Sequence, residues 1–159
     1  MISKVVTDND IRNCVALAKE IWIDHYTSLI GEAQVEYMLN KFQSFEAVKE
    51  QISEGFNYYL VDRSKGYFSY FPEGDSLFIS KLYIHRDYRR QGLGKKAVNF
   101  IINKATGKNS LKLTVNRDNL NSVEVYKKLG FNISEEVDFD IGCSFYMNDY
   151  VMIKSLNRV

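Results

Sequence analysis

The order of strand-like and helix-like segments in the middle of the chain constrains the fold more than any other feature. Residues that favour strands fill three consecutive segments, at 56–61, 67–71 and 77–84. Consecutive strands joined by short turns predict an antiparallel meander. A helix that opens at Gly92 then leads to a short strand over 111–115, and a strand–helix–strand unit requires one parallel pairing. We therefore predict an α/β (α+β) fold with a mixed, mostly antiparallel central sheet flanked by helices.

Periodic segments on both sides of this unit complete the predicted order. A strand over 2–6 precedes a first helix, which is capped by Thr7 or Asp8 and ends near Tyr26. Two more helices follow, the first carrying Val35 and Met38 on one face and the second capped by Ser44. The chain closes with a helix and a hairpin, at 120–129, 131–140 and 147–156. No repeat or linker divides the chain, so we predict a single domain over 1–159.

Composition narrows the class of protein. With 21 Lys and Arg against 20 Asp and Glu, the net charge of +1 gives no general attraction to nucleic acid or to an anionic membrane. No apolar run approaches the roughly 20 residues of a membrane-spanning helix. Cys14 and Cys143 form no metal-binding pattern, so we expect no metal and two reduced thiols in a cytoplasmic protein.

The segment from Arg89 to Lys96 is a basic, glycine-containing junction between a strand and a helix. Gly92 and Gly94 lack a Cβ where a ligand would approach the backbone, and the first amides of a helix have no intrahelical acceptor. With the nearby basic side chains they would bind an anion such as a phosphate. A solvated basic turn with glycines for bending is the alternative. A dinucleotide-binding motif is disfavoured, because no acidic residue ends the strand over 111–115.

Two motifs in this half of the chain resemble those of the GNAT N-acetyltransferases. The first is Arg89-x-x-Gly92-x-Gly94, which follows Leu82-Tyr83-Ile84 and is similar to the acetyl-CoA motif of that family. The second is Asn119-x-x-Ser122-x-x-x-Tyr126-x-x-x-Gly130-Phe131. Together they cover roughly Leu77 to Phe131, and the resemblance implies a GNAT-like acyl-CoA N-acyltransferase fold. The first 55 residues match the family only as helices.

The resemblance also implies where acetyl-CoA, the co-substrate, binds. Main-chain amides of Leu82, Tyr83 and Ile84 would hold its acetyl and pantetheine portion. The loop before the helix would hold its diphosphate, through Arg89, Arg90, Gln91, Gly92, Leu93, Gly94 and Lys95. Asn119 would contact the cofactor arm, although alone it indicates a helix cap. A change of parity in the apolar residues, from Leu77 and Ile79 to Leu82 and Ile84, indicates a bulge that would free these amides.

The reaction that the resemblance implies is direct acetyl transfer from acetyl-CoA to an amine. Tyr126 would face the sulfur and either protonate the departing thiolate or stabilise its charge by a hydrogen bond. A core aromatic is the alternative role of this residue. Trp22 and Tyr26 would border the acceptor, a small-molecule or peptide amine. The tail Ser144-Phe145-Tyr146-Met147-Asn148-Asp149-Tyr150-Val151-Met152 is also similar to a bacterial branch that acetylates polyamines. In that case Glu32, Asp138 and Asp140 would meet a cationic acceptor.

The general base is not evident from the sequence. Many relatives place a glutamate on the third meander strand or on the strand before the Asn119 motif, where this chain has Ser80-Lys81-Leu82 and Leu113-Thr114-Val115. A bound water or a side chain near an expected interhelical loop would have to serve instead, with Asp24, His25, Tyr26, Glu32 and His85 as candidates.

Three alternatives for function and assembly stay open at this point. One is a non-catalytic acyl-CoA-binding or sensory module, which the missing glutamates would suit. Another is nucleic-acid binding through Arg86, Arg89, Arg90, Lys95 and Lys96, which no aromatic stacking platform accompanies. Exposed strand edges in the final hairpin would permit a homodimer.

Overall fold

The predicted order of elements is confirmed in the computed structural model, which describes residues 1–156. The amino-terminal half contains β1 (Ile2–Lys4), α1 (Asp8–Ile30), α2 (Glu32–Phe42), α3 (Phe45–Ser53), β2 (Asn57–Val61), β3 (Gly66–Glu73) and β4 (Ser76–Ile84). A short 3-10 turn at Arg86–Tyr88 leads to α4 (Leu93–Lys104), β5 (Ser110–Asn116), α5 (Leu120–Lys128), β6 (Asn132–Gly142) and β7 (Phe145–Ser155).

The seven strands form one sheet in the order β1-β2-β3-β4-β5-β7-β6. Within residues 1–156, β4 and β5 pair in parallel, and the other strand pairs are antiparallel. The parallel pair is the one that the crossover through α4 requires. The fold class is therefore confirmed. The last hairpin folds back so that β7, not β6, lies beside β5.

Each face of the sheet is covered by its own apolar core. Alternating residues of the meander separate onto the two faces, with Tyr59 and Phe68 in the core under α4 and α5 and Tyr58 and Tyr67 in the core under α1 to α3. All four side chains are buried. Because helices cover both faces of the sheet, we expect a ligand to reach the sheet where neighbouring strands separate.

The first helix is longer than the sequence predicts. A capping box joins Thr7 and Asp10 at its start, as predicted for Thr7, but it ends at Ile30 instead of near Tyr26. After Trp22 the apolar side chains of α1 are only partly buried, because Tyr26 and Ile30 pack at the edge of the core and also line a cavity. The expected interhelical loop around Tyr26 is thus a helix, which stops at Gly31, where φ is +86°.

Strand β4 contains one extra residue, a β-bulge, at the point where β4 and β5 separate. Ser69 pairs with Lys81 and Tyr70 pairs with Ile79, so Ser80 has no partner across the ladder. The bulge predicted from the change of parity is confirmed here. The parallel pairing of β4 with β5 ends at Ile79 and Leu113, and beyond this point the two strands no longer pair. The edge of β4 from Ser80 to Ile84 that faces β5 therefore has no strand beside it.

Two further features concern the described part of the chain. Cys14 is buried, Cys143 is exposed, and both thiols are free. Between residues 1 and 156, none of the helices has the length and apolar character that crossing a membrane requires.

Candidate active site

The loop between β4 and α4 has the geometry of an anion cradle. Arg90 and Gly92 both have positive φ, +63° and +77°, while Gln91 between them does not. Such an alternation turns successive backbone N–H groups toward one concave side. Helix α4 starts directly afterwards, and no side chain caps its first amides, whereas Thr7 and Ser44 cap α1 and α3. These amides remain available to an anion.

The side chains of this loop divide into two groups. Arg90, Gln91 and Lys95 are exposed beside the concave side, while Leu93 is buried in the core and can offer only its main chain. A Cβ added at Gly94 would meet no protein atom within 4 Å. The glycine is thus not required by the packing of this chain, but it leaves space beside the open amides. Together these features fit the diphosphate of a coenzyme A molecule.

Contacts with β4 and α1 hold this loop in place. Arg89 donates from Nε to the carbonyl oxygen of Ile84 at 3.1 Å, so its side chain connects the loop to the free edge of β4. Arg86 pairs with Asp24 at 2.9 Å, and His85 pairs with Glu20 at 2.8 Å. Asp24 and His85 therefore anchor the loop to α1. They line a pocket with Glu20 and Arg86 on the outer side of α1, and neither lines the cavity bordered by Trp22 and Tyr26.

An aromatic cluster lies on the α1 side of the split in the sheet. The Tyr26 and Tyr83 hydroxyls are 2.8 Å apart, and the Trp22 ring lies 5.7 Å and 5.6 Å from those two rings. Burial raises the pKa of Tyr26 to about 12 and that of Tyr83 well above its usual value. These phenols are protonated at neutral pH, so Tyr26 is a poor candidate for the base.

His25 and Asn119 connect α1 to the start of α5. The Asn119 Nδ2 lies 2.7 Å from His25 Nε2, while Asn119 Oδ1 accepts a bond from the backbone N–H of Ser122 as a helix cap. Burial, with a smaller contribution from the charge of Arg89, lowers the pKa of His25. A neutral ring accepts at Nε2, which matches the amide donor of Asn119. The helix-cap role of Asn119 is confirmed, and its contact with the cofactor arm stays a prediction.

Tyr126 lies on the opposite face of the sheet from the aromatic cluster. It packs against the core under α4 and α5, with its ring 5.8 Å from Phe131. Burial raises the pKa of Tyr126, and the nearby Tyr26 raises it further by a smaller amount. Its hydroxyl therefore keeps its proton at neutral pH. It is also close enough to Tyr26, across the split, for the two side chains to interact electrostatically.

A cavity of about 330 Å³ opens at the split, on the side of α1 and α2. This is large enough for a small organic molecule. Trp22, Tyr26 and Tyr83, the expected neighbours of the acceptor and cofactor, all line it. Asp149 from β7 and Lys81 from β4 line it as well.

Asp149 is a carboxylate that the sequence does not single out. It is 3% exposed, and desolvation raises its pKa to about 6, with the side chain of Thr114 opposing the shift. It also lies near enough to Tyr26 to raise the pKa of that phenol. A buried carboxyl group with a pKa near 6 is ionised at neutral pH and can accept a proton.

The acidic residues expected to meet a polyamine lie elsewhere. Asp138 pairs with Arg117, Asp140 accepts from the backbone N–H of Gly142, and Glu32 is exposed at the start of α2. None of the three lines the cavity. The charged side chains that line the cavity are those of Asp149, which is negative, and Lys81, which is positive.

Three features occur together here: two parallel strands that separate, a helix N-terminus with free amides beside them, and a cavity large enough for an acceptor. This arrangement is the one expected of an acyl-CoA-dependent acyltransferase. The model of the Acetyltransferase (GNAT) family matches residues 19–131, and the chain belongs to this family. It is an acetyl-CoA-dependent N-acetyltransferase. Acetyl-CoA is accordingly its co-substrate.

Solved structures share this fold over the whole chain. The PaiA N-acetyltransferase from Thermoplasma acidophilum, in complex with coenzyme A, is 21% identical, with a TM-score of 0.76 over 98% of this chain and 99% of that one. The ribosomal-protein-S18-alanine N-acetyltransferase from Escherichia coli is 16% identical, with a TM-score of 0.72 over 100% and 95%. A GCN5-related N-acetyltransferase from Rhodopseudomonas palustris is 18% identical, with a TM-score of 0.80 over 98% and 95%. No curated protein sequence matches the chain significantly.

Proposed function

We propose that the protein acetylates a primary amine bound in the cavity, by direct attack within a ternary complex with acetyl-CoA. The observation that carries this proposal is the buried carboxylate of Asp149 in a cavity that opens at the split between β4 and β5. Acetyl-CoA, when bound, supplies an acetyl group activated as a thioester. The residues on either side of the split supply proton transfer and orientation.

Asp149 is the proposed proton acceptor. An alkyl amine has a pKa of about 10.4, so at neutral pH nearly all of it is the unreactive ammonium ion. The Asp149 carboxylate binds this ammonium ion and accepts one of its protons, which frees the lone pair of the nitrogen. The neutral amine then attacks the thioester carbonyl carbon, and its second proton passes to water as the C–N bond forms and the C–S bond breaks. This places the base on β7, away from the strands where many relatives carry a glutamate.

The free edge of β4 and Tyr126 are the proposed partners of the other reacting atoms. The backbone N–H of Ile84, past the bulge, is the candidate donor to the carbonyl oxygen as charge develops on it. Tyr126 holds its proton on the opposite side of the split and gives it to the thiolate sulfur as the C–S bond breaks. The Arg90–Lys95 loop, with Asn119, would orient the diphosphate and the cofactor arm.

The proposal is tested by measuring thiol release from acetyl-CoA with a panel of primary amines. We expect saturable release that depends on the amine, together with a stoichiometric acetylated product by mass spectrometry. Binding of CoA in a calorimeter without turnover on any amine would favour the non-catalytic acyl-CoA-binding module instead. The carboxylate in the cavity favours catalysis over that alternative.

Replacing Tyr126 with phenylalanine separates its catalytic role from its role in the core. The ring and its contact with Phe131 remain, so we expect CoA binding and thermal stability to change little. Loss of the proton donor should lower kcat by about 10²-fold. Tyr146→Phe on β7 is the matched control, since Tyr146 is 53% exposed. A Tyr126→Phe variant that releases thiol at the wild-type rate would exclude Tyr126 as the acid.

A further inference from the structure

We propose that the acceptor is an amine that carries a carboxylate at its far end, and that Lys81 binds this carboxylate. This inference rests on the proposed function, because it assigns a substrate class to the same cavity. Its starting observation is that the cavity holds one charge of each sign, on strands that are not neighbours.

Lys81 brings an ammonium group into the cavity without a carboxylate of its own. Its Nζ makes one long contact, 3.4 Å to the Gln51 side-chain oxygen, and lies 5.4 Å and 6.0 Å from the centres of the Phe56 and Tyr58 rings. None of the ion pairs formed within residues 1–156 includes Lys81. The two ring faces attract the ammonium group, but they carry no net negative charge, so an anionic ligand would add the counterion that the buried cation lacks.

The two charges lie at different ends of the cavity. Lys81 is on β4 and Asp149 is on β7, with β5 between them. Two regular strand spacings correspond to about 10 Å, and the separation of β4 from β5 at this level makes the distance between the two strands larger. The Lys81 side chain extends toward Phe56, whereas Asp149 lies among residues of β5. The walls that remain are mainly apolar, formed by Trp22, Ile30, Met38, Phe42, Phe71, Phe78, Val115 and Met147. An acceptor that fits has an apolar body with an amine at one end and an anion at the other.

The charge distribution separates this class from two others. A polyamine would place a second ammonium ion near Lys81, where the like charges repel each other. A phosphate carries nearly two negative charges and calls for several cations, whereas the cavity offers one. A carboxylate matches the single ammonium group and the neighbouring amide of Gln51.

The protonation of Lys81 is consistent with this role. Burial lowers the pKa of Lys81 to about 8, so the ammonium form still predominates at pH 7. A bound carboxylate would raise this pKa again and hold the side chain charged.

The experiment uses three acceptors of equal length that differ only at the far end. These are 6-aminohexanoate, hexylamine and 1,6-diaminohexane, which end in a carboxylate, a methyl group and an ammonium group. We expect kcat/KM of the wild-type protein to favour the carboxylate over the methyl compound by about 10–100-fold, and the diamine to be the poorest acceptor. Equal rates for all three would overturn the inference and leave the proposed function intact. No transfer to any amine would instead contradict the proposed function.

Two variants assign the preference to Lys81. Lys81→Met should reduce the ratio of carboxylate to methyl acceptor to about 1, and Lys81→Glu should make the diamine the preferred acceptor. Lys104→Met removes the same charge at the exposed end of α4 and should keep the wild-type ratio. If Lys81→Met lost activity on all three acceptors with the ratio unchanged, Lys81 would act on the amine or the fold, and the inference would be wrong. The wild-type preference and competitive inhibition by hexanoate test the site without any variant, so failure of a variant to fold does not decide the outcome.

Discussion

Asp149→Asn is expected to slow acetyl transfer by about 10²–10⁴-fold while making the protein more stable near neutral pH. The asparagine keeps the size of the side chain but cannot accept a proton from the bound ammonium ion. In the wild-type protein kcat/KM should fall as the pH drops below about 6, because the carboxyl group becomes protonated there. For the variant, kcat/KM should not show this decrease at acidic pH (the acidic limb of the pH profile).

The gain in stability follows from the direction of the pKa shift. Burial raises the pKa of Asp149 from 3.8 in the unfolded chain to about 6 in the folded protein. The folded state therefore binds more protons than the unfolded state between these values, so the free energy of unfolding decreases as the pH rises through this window. Above pH 6 the full cost of the buried charge is present, and removing it should recover about 2–3 kcal/mol.

Urea denaturation at pH 4.5 and pH 7.5 tests this part of the prediction. The difference between variant and wild type should be larger at the higher pH. Glu135→Gln on β6 is the control, because Glu135 is an exposed carboxylate and its removal should change stability by no more than about 0.5 kcal/mol at either pH. A variant that keeps the wild-type rate and its acidic limb would show that another group is the base.

Gly94→Asp is expected to weaken CoA binding by about 100-fold or more without weakening the fold. Gly94 is the second residue of α4, and a Cβ there meets no protein atom within 4 Å. An aspartate in the first helical turn interacts favourably with the helix dipole, so the free energy of unfolding should stay equal or rise by about 0.3–1 kcal/mol. The same negative charge would face the diphosphate and oppose its binding.

Gly94→Asn is the matched control, with the same shape and no charge. Calorimetric titration with CoA should show a moderate loss for the asparagine and a much larger loss for the aspartate, and the gap between them should narrow at high salt. If the aspartate variant bound CoA as tightly as the wild type, the loop that begins α4 would not be the diphosphate site.

The features that the sequence predicts are those set by neighbouring residues along the chain. The Arg90–Gly92 turn and the open start of α4 follow from residue types at short spacing, and the bulge at Ser80 follows from parity within one strand. The predicted end of α1 is wrong by four residues, since the apolar residues after Trp22 lie at the edge of the core beside a cavity, where the helical pattern is weaker.

The chemistry of the acceptor cavity depends on contacts between distant parts of the chain. Asp149 reaches the split only because β7 lies between β5 and β6, and no local pattern shows this order. Lys81 lies on the strand where many relatives carry a glutamate, and its proposed role in binding the acceptor depends on the presence of Asp149 in the same cavity. Similarly, the carboxylates of the last hairpin that the sequence favoured, Asp138 and Asp140, are engaged outside the cavity.

The unpaired residue in β4 has an evolutionary consequence. Leu77 and Ile79 before Ser80, and Leu82 and Ile84 after it, all pack toward the same core, so a chain lacking Ser80 would keep every one of these side chains on its present face. Such a chain could fold around an unchanged interior while its parallel ladder ran on past Leu113 and closed the cleft. Deletion of the single codon for Ser80 is therefore expected to remove the free edge of β4 on which the proposed binding of the acetyl group depends.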